Sequence, residues 1–106
     1  MRLKDKVIIV TGSTTGIGKA IAIRCGAEGA KVVVHGLEEA WGKEVVAELG
    51  NENAVLHIEN LSTEGTPERL VQIALKAFGR LDAVVNNAAI VARFNRHYRS
   101  FVINKL

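Results

Sequence analysis

The chain has 106 residues, which is enough for one domain with one hydrophobic core. Its apolar fraction of 48% and charged fraction of 24% are those of a globular protein and exclude a fibrous or disordered chain. No apolar run approaches the roughly 20 residues of a membrane span, and the apolar run after residues 1–6 is too short for a secretory signal. Together with the single cysteine, Cys25, which has no internal disulfide partner, these features predict a cytoplasmic protein.

The net charge of +3 is unevenly distributed. Residues 1–89 hold 10 Lys and Arg against 11 Asp and Glu, whereas residues 90–106 hold four basic residues and no acid. We therefore expect residues 1–89 to be nearly neutral and to lack the basic patch that is typical of nucleic-acid-binding proteins. The predicted organisation is a domain over residues 1–90 followed by an atypical basic tail over residues 91–106.

Apolar runs alternate with amphipathic segments along the chain. Strands are predicted at residues 6–11, 31–35, 54–59 and 81–86. The intervening helices are expected to end near Gly29, Gly50 and Gly79. The first helical face comprises Ile17, Ala20, Ile21, Arg24 and Cys25, and the second comprises Leu37, Ala40, Trp41, Val45 and Leu49. We interpret Trp41 as a core or interface residue rather than a base-stacking one.

The third helix has a strong start signal. Thr66 is predicted as its cap, Pro67 as its first helical residue and Glu68 as an acid near the positive end of its dipole. The complete order is β-α-β-α-β-α-β, which is typical of an α/β, Rossmann-like three-layer sandwich. Its parallel sheet is expected to have about four strands in the order 3-2-1-4.

A glycine-rich loop follows the first strand, at the carboxyl edge of the predicted sheet. Gly12, Gly16 and Gly18 allow close approach of the backbone to phosphates at the positive end of the next helix. The hydroxyls of Ser13, Thr14 and Thr15 are possible extra donors. A Walker A loop is excluded because Ala20, and not Ser or Thr, follows Lys19. The three histidines and one cysteine lack metal-ligand spacing, so no metal site is predicted.

The spacing Thr11-Gly12-x-x-x-Gly16-Ile17-Gly18 resembles the short-chain dehydrogenase/reductase family. A second match, Asn86-Asn87-Ala88-Ala89, resembles that family's Asn-Asn-Ala-Gly segment, with Ala89 in place of glycine. The resemblance covers about residues 3–90. It implies that Gly12 through Gly18 hold the pyrophosphate and adenosine ribose of a dinucleotide. It further implies that Asn60 and Leu61 lie beside the adenine, although the family's acid is replaced at Asn60, and that the other implied cofactor-binding residues are Asn86, Asn87 and Ala88.

The residues after the second strand bear on the choice between NAD and NADP. Gly36 stands where an NAD-specific family member carries an acid, and Leu37 stands where an NADP enzyme often carries arginine. Because nothing acidic occupies that position, the sequence leans towards NADP, with NAD kept open. His35 is either an aid to phosphate binding or a strand-end residue with no ligand role.

The family's catalytic tyrosine and lysine, four residues apart, are not matched. Tyr98 is the only tyrosine, and Val102 stands four residues later. No catalytic residue is therefore assigned, and the 106-residue chain is expected to be inactive alone. The leading hypothesis is the cofactor-binding half of an oxidoreductase. The alternative is a stand-alone nucleotide-binding module or a non-catalytic interaction protein.

The fourth strand is expected to have no fifth strand beside it. An unpaired strand edge invites association, so we predict self-association through this edge or the tail. The less favoured alternative is a tail that folds back over the edge.

Overall fold

The computed structural model describes residues 1–87 and, further along, the backbone of residues 102–103. The elements in chain order are β1 (Val7–Val10), α1 (Gly16–Ala27), β2 (Lys31–Gly36), α2 (Glu39–Leu49), β3 (Ala54–Ile58), α3 (Thr66–Phe78), β4 (Ala83–Val85) and β5 (Val102–Ile103). The β-α alternation predicted from the sequence is confirmed. No helix within residues 1–87 is long and apolar enough to cross a membrane.

The strands form one parallel sheet in the order β3-β2-β1-β4-β5. The predicted order 3-2-1-4 is therefore confirmed. The expectation that no strand adjoins β4 is wrong, because Val102 pairs with Val84 and Ile103 with Val85. A short segment of the tail thus occupies the edge that we expected to be bare. Self-association at this edge stays a prediction, and the rest of the tail lies outside the described residues.

Alternate side chains of the central strands enter two different cores. Val7, Ile9 and Val33 face α3, where they pack with Leu70 and Ala74. Their neighbours in sequence face α1 and α2 on the opposite side of the sheet; this second core includes Ile8, Val10, Val32, Val34, Ala22 and Val45. All four residues of β1 are buried, which is the pattern of a strand covered on both faces. Helices on both sides of the sheet give the predicted three layers.

The start of α3 differs from the prediction in one respect. Gly65, with φ of 88°, is the N-cap, and Thr66 is the first helical residue. The fully buried Thr66 hydroxyl lies 2.9 Å from the Thr63 carbonyl and 3.0 Å from the Asn60 carbonyl. It therefore fastens the helix to the loop after β3 instead of capping its own amides.

An ion pair ties the end of β3 to α3. Arg69 on α3 meets the Glu59 carboxylate through both Nε, at 3.0 Å, and Nη2. The His57 Nε2 lies 2.8 Å from the same carboxylate. The Arg69 hydrogen bond, followed by that of His57, lowers the pKa of Glu59 from 4.5 to about 2. Since Asn60 follows directly, these contacts fix the position of the chain at the carboxyl edge of the sheet.

The lowered pKa of Glu59 predicts a specific loss of stability in acid. A carboxyl with a depressed folded-state pKa stabilises the fold above its ordinary pKa, and this contribution disappears as the pH falls from about 4.5 towards about 2. We expect Glu59→Gln to lower the urea midpoint of unfolding at pH 5. The difference in midpoint between this variant and the wild type should be smaller at pH 3. Glu52→Gln, at an exposed carboxyl beyond α2, is the charge-matched control. A Glu59→Gln deficit of equal size at both pH values would contradict the assignment.

Candidate cofactor-binding site

The loop between β1 and α1 is fastened to the end of β4. The Thr11 amide donates to the Val85 carbonyl at 3.0 Å, and the Asn87 amide donates to the Thr11 hydroxyl at 3.0 Å. The Asn87 side-chain amide donates to the Gly12 carbonyl at 3.2 Å. The glycine loop and the Asn86-Asn87 segment, which are far apart in sequence, therefore meet at one edge of the sheet.

Gly18 is required by how closely α1 approaches this loop. A Cβ at that position would overlap the Gly12 carbonyl and stand 2.5 Å from the Asn87 Nδ2. Gly18 thus lets the first turn of the helix rest directly on the loop backbone. Gly16 has a different role, because a Cβ there would meet nothing within 4 Å while its φ is +57°. It combines a left-handed turn with open space above it.

The first turn of α1 and its N-cap supply nothing that neutralises the amino end of the helix. The Thr15 N-cap makes no side-chain hydrogen bond to the helix, and the first turn contains no acid. The positive end of the helix dipole, with its first amides, is therefore presented at the carboxyl edge of the sheet. Such an end favours an anion such as a phosphate.

Ser13 is occupied inside the fold. It is fully buried, and its Oγ accepts the His35 amide at 2.9 Å, while its own amide donates to the His35 carbonyl at 2.7 Å. Its hydroxyl therefore joins the loop to β2 and does not extend to a ligand, unlike the predicted role. The nearby Thr14 and Thr15 do lie at the surface of the cleft described below.

The His35 ring connects three strand ends. Its Nδ1 accepts the Gly12 amide at 3.0 Å, and its Nε2 lies 2.8 Å from the Glu59 carbonyl. These two partners require the neutral tautomer with the proton on Nε2. The residue is only 2% exposed, and desolvation by burial lowers its pKa. His35 is therefore a neutral structural bridge between the ends of β1, β2 and β3.

A cleft of about 540 Å³ opens at this edge of the sheet. Ten of the predicted residues line it: Gly12, Thr14, Thr15, Gly16, Ile17, Gly36, Leu37, Asn60, Leu61 and Asn87. Three others, Ser13, Gly18 and Asn86, do not line it, and Ala88 lies outside the described residues. A volume of this size is in the range of small-molecule sites.

The cleft also includes three residues that the sequence did not assign to it. They are His35, Glu38 and Trp41. Trp41 is 50% exposed and Leu37 is 64% exposed, so the prediction that both belong to the buried face of α2 is wrong. Ile17, at 72% exposure, likewise lies on the cleft and not on the buried face of α1. At the first turn of a helix, helical spacing is the same for a side chain on the buried face and for one on the cleft wall, so the sequence pattern could not distinguish them.

The remaining chemistry of the described residues is sparse. Within residues 1–87, no group of three or more His, Cys, Asp or Glu side chains is placed to hold a metal ion. Cys25 is partly buried beside the core that faces α1 and α2, and burial raises the pKa of its thiol, which makes it a poor nucleophile at neutral pH. The described part of the cleft offers the positive end of a helix dipole, apolar walls and backbone amides.

Comparison with known proteins agrees with this geometry. The family model for short chain dehydrogenases matches residues 6–102. A 3beta-hydroxysteroid dehydrogenase of Mediterraneibacter gnavus is 40% identical over 93 residues, which are 85% of this chain and 33% of that protein. The chain thus spans about a third of the length of this relative.

Solved structures give the same result. The apo form of a glucose dehydrogenase of Caenorhabditis elegans aligns with a TM-score of 0.79 and 30% identity, over 94% of this chain and 43% of that one. A short-chain dehydrogenase/reductase of unknown function from the same organism, crystallised with cofactor, aligns with a TM-score of 0.76 and 28% identity, over 80% of this chain and 33% of that one. From its sequence, its strand order and these likenesses, the chain belongs to the short-chain dehydrogenase/reductase family, of whose members it represents an amino-terminal portion.

Proposed function

We propose that this chain binds the adenosine and pyrophosphate portion of NAD or NADP as part of an oxidoreductase. One observation carries the proposal: the uncapped amino end of α1, the glycine loop and the Asn60-Leu61 segment all border a single cleft. The pyrophosphate would lie against Gly16 and the first amides of α1. The adenine would lie towards Leu61, which is 8% exposed and backed by the core facing α3.

The bound cofactor would accept or donate a hydride, and the residues of this chain would hold it. Asn87 and Thr11 fix the loop that faces the phosphates, and Gly18 keeps the helix end close to it. The alternative of a stand-alone nucleotide-binding module or interaction protein gains no support from the family match, which is to dehydrogenases.

Binding of the cofactor should depend on Gly16. We expect the wild-type chain to bind NAD with a dissociation constant between high micromolar and millimolar, or roughly 4 to 5.5 kcal/mol, because it offers contacts to part of the dinucleotide only. Gly16→Val should weaken this by about tenfold or more, since the added side chain fills the space above the loop. Titration calorimetry measures both, and quenching of the single tryptophan, Trp41, which borders the cleft, gives an independent readout.

Gly79→Val is the matched control for this experiment. Gly79 ends α3 with φ of +79°, and a Cβ there also meets nothing within 4 Å, but the residue does not border the cleft. Both variants therefore carry comparable backbone strain, and only one obstructs the proposed phosphate position. Equal binding by Gly16→Val and Gly79→Val would place the cofactor elsewhere.

Turnover by the chain on its own is not expected. We expect the purified 106-residue chain to show no NAD(P)H-dependent reduction of simple ketones, because a positioned acid–base pair, typically worth about 10² to 10⁴ in rate, is not matched in its sequence. Tyr98→Phe should leave the baseline unchanged; Tyr98 lies outside the described residues. A longer family member assayed in parallel verifies the assay. Turnover by the wild-type chain that disappears in Tyr98→Phe would disprove this expectation.

A further inference from the structure

We infer that the adenosine end of the cleft selects a free ribose 2′-hydroxyl, and hence NAD over NADP, and that Glu38 is the residue that determines this choice. The inference rests on the proposed function, which it deepens. It reverses the preference for NADP that the sequence suggested from Gly36 and Leu37.

The usual position of a specificity-determining acid is closed by packing. A Cβ on Gly36 would overlap the Thr14 Cγ2 and lie 2.7 Å from its Oγ1. Thr14 is itself only 9% exposed. Glycine at the end of β2 is therefore a consequence of how closely the loop approaches the strand. It says nothing about which ribose substituent is accepted.

The charge missing at Gly36 is supplied two residues later. Glu38 borders the cleft and is exposed. It is the N-cap residue of α2, with extended backbone angles of −116° and 113°, and its side chain does not cap the helix. The carboxylate is thus available to accept hydrogen bonds from ribose hydroxyls, which a 2′-phosphate dianion cannot donate.

The described cleft wall has no cation that could pair with a 2′-phosphate. Among the described residues that line the cleft there is neither lysine nor arginine, and Glu38 is the one acid. His35, the remaining titratable side chain of the wall, has both ring nitrogens committed to Gly12 and Glu59. It is buried and neutral near pH 7, so it cannot offer a positive charge to a phosphate.

The neighbours of Glu38 are apolar. Leu37 and Trp41 flank it in sequence and form apolar parts of the same wall. Because Glu38 is exposed to solvent, its repulsion of a second anion acts over a short range and is reduced by salt. The wall accordingly favours an uncharged ribose edge with an aromatic base beside it.

The test is a comparison of NAD⁺ and NADP⁺ binding to the whole 106-residue chain. By calorimetry or Trp41 fluorescence, we expect the wild type to bind NAD⁺ at least about tenfold more tightly than NADP⁺, which corresponds to about 1.4 kcal/mol. In Glu38→Gln the two affinities should come within about threefold of each other, mainly through tighter NADP⁺ binding. The wild-type preference should also shrink as salt is raised, because exposed charges are screened.

Glu39→Gln is the matched control. It removes the same charge one residue later, from a carboxylate that pairs with Lys43 at 3.5 Å and does not border the cleft. This variant should keep the wild-type ratio. A wild type that prefers NADP⁺, or a ratio that Glu38→Gln leaves unchanged, would overturn the inference while leaving the proposed function intact. Failure of both dinucleotides to bind at millimolar concentration would overturn the proposed function itself.

Discussion

The buried ring of His35 is the contact on which the shape of the cleft depends. One side chain supplies an acceptor to the Gly12 amide and a donor to the Glu59 carbonyl, and it thereby joins the loop after β1 to the end of β3. Leaving either backbone group buried and unpaired would cost about 1 to 3 kcal/mol. The neutral tautomer alone satisfies both, and the lowered pKa of the ring keeps that form dominant near neutral pH.

Two glycines then determine how closely α1 and β2 can approach the loop after β1. At Gly18, helix α1 rests on the Gly12 carbonyl, and at Gly36, strand β2 rests on Thr14. Neither position has room for a Cβ, so the loop is held between the helix and the strand with little freedom to move. A loop fixed in this way can present its amides to a phosphate without the ordering cost that a flexible loop would incur.

The strands and helices were predicted well from the sequence because they follow from hydrophobic periodicity and from the glycines that end the helices. Buried β-branched runs such as residues 31–35 have one stable location in an α/β sheet, and the glycine stops limited the helices to within a few residues. The β5 pairing was missed because Val102–Ile103 is two residues long and sits in a basic segment, where neither period nor composition indicates a strand.

The cleft was predicted in part, and the errors have two causes. Motif spacing correctly brought Gly12, Gly16 and Asn87 to one edge, since parallel strands end together. Helical spacing, however, assumes that a side chain on the apolar face is covered by the core. At the first turns of α1 and α2 the sheet has already ended, so Ile17 and Trp41 point over its edge and become cleft walls. Ser13 was misassigned for the opposite reason, because its hydroxyl partner on β2 is distant in sequence.

The cleft has opposite charges at two places, which the net charge of the protein does not reveal. Residues 1–89 are nearly neutral, with 10 basic and 11 acidic side chains, so long-range attraction of an anion by this part of the chain is weak. In the proposed binding mode, the uncapped end of α1 would attract a phosphate at one place in the cleft, and Glu38 would repel one at another. Both effects act over a few ångströms and are little affected by distant charges. The proposed binding mode therefore calls for a ligand with its phosphates in the middle and an uncharged ribose edge at one end, and it disfavours a ligand that carries phosphate at both places.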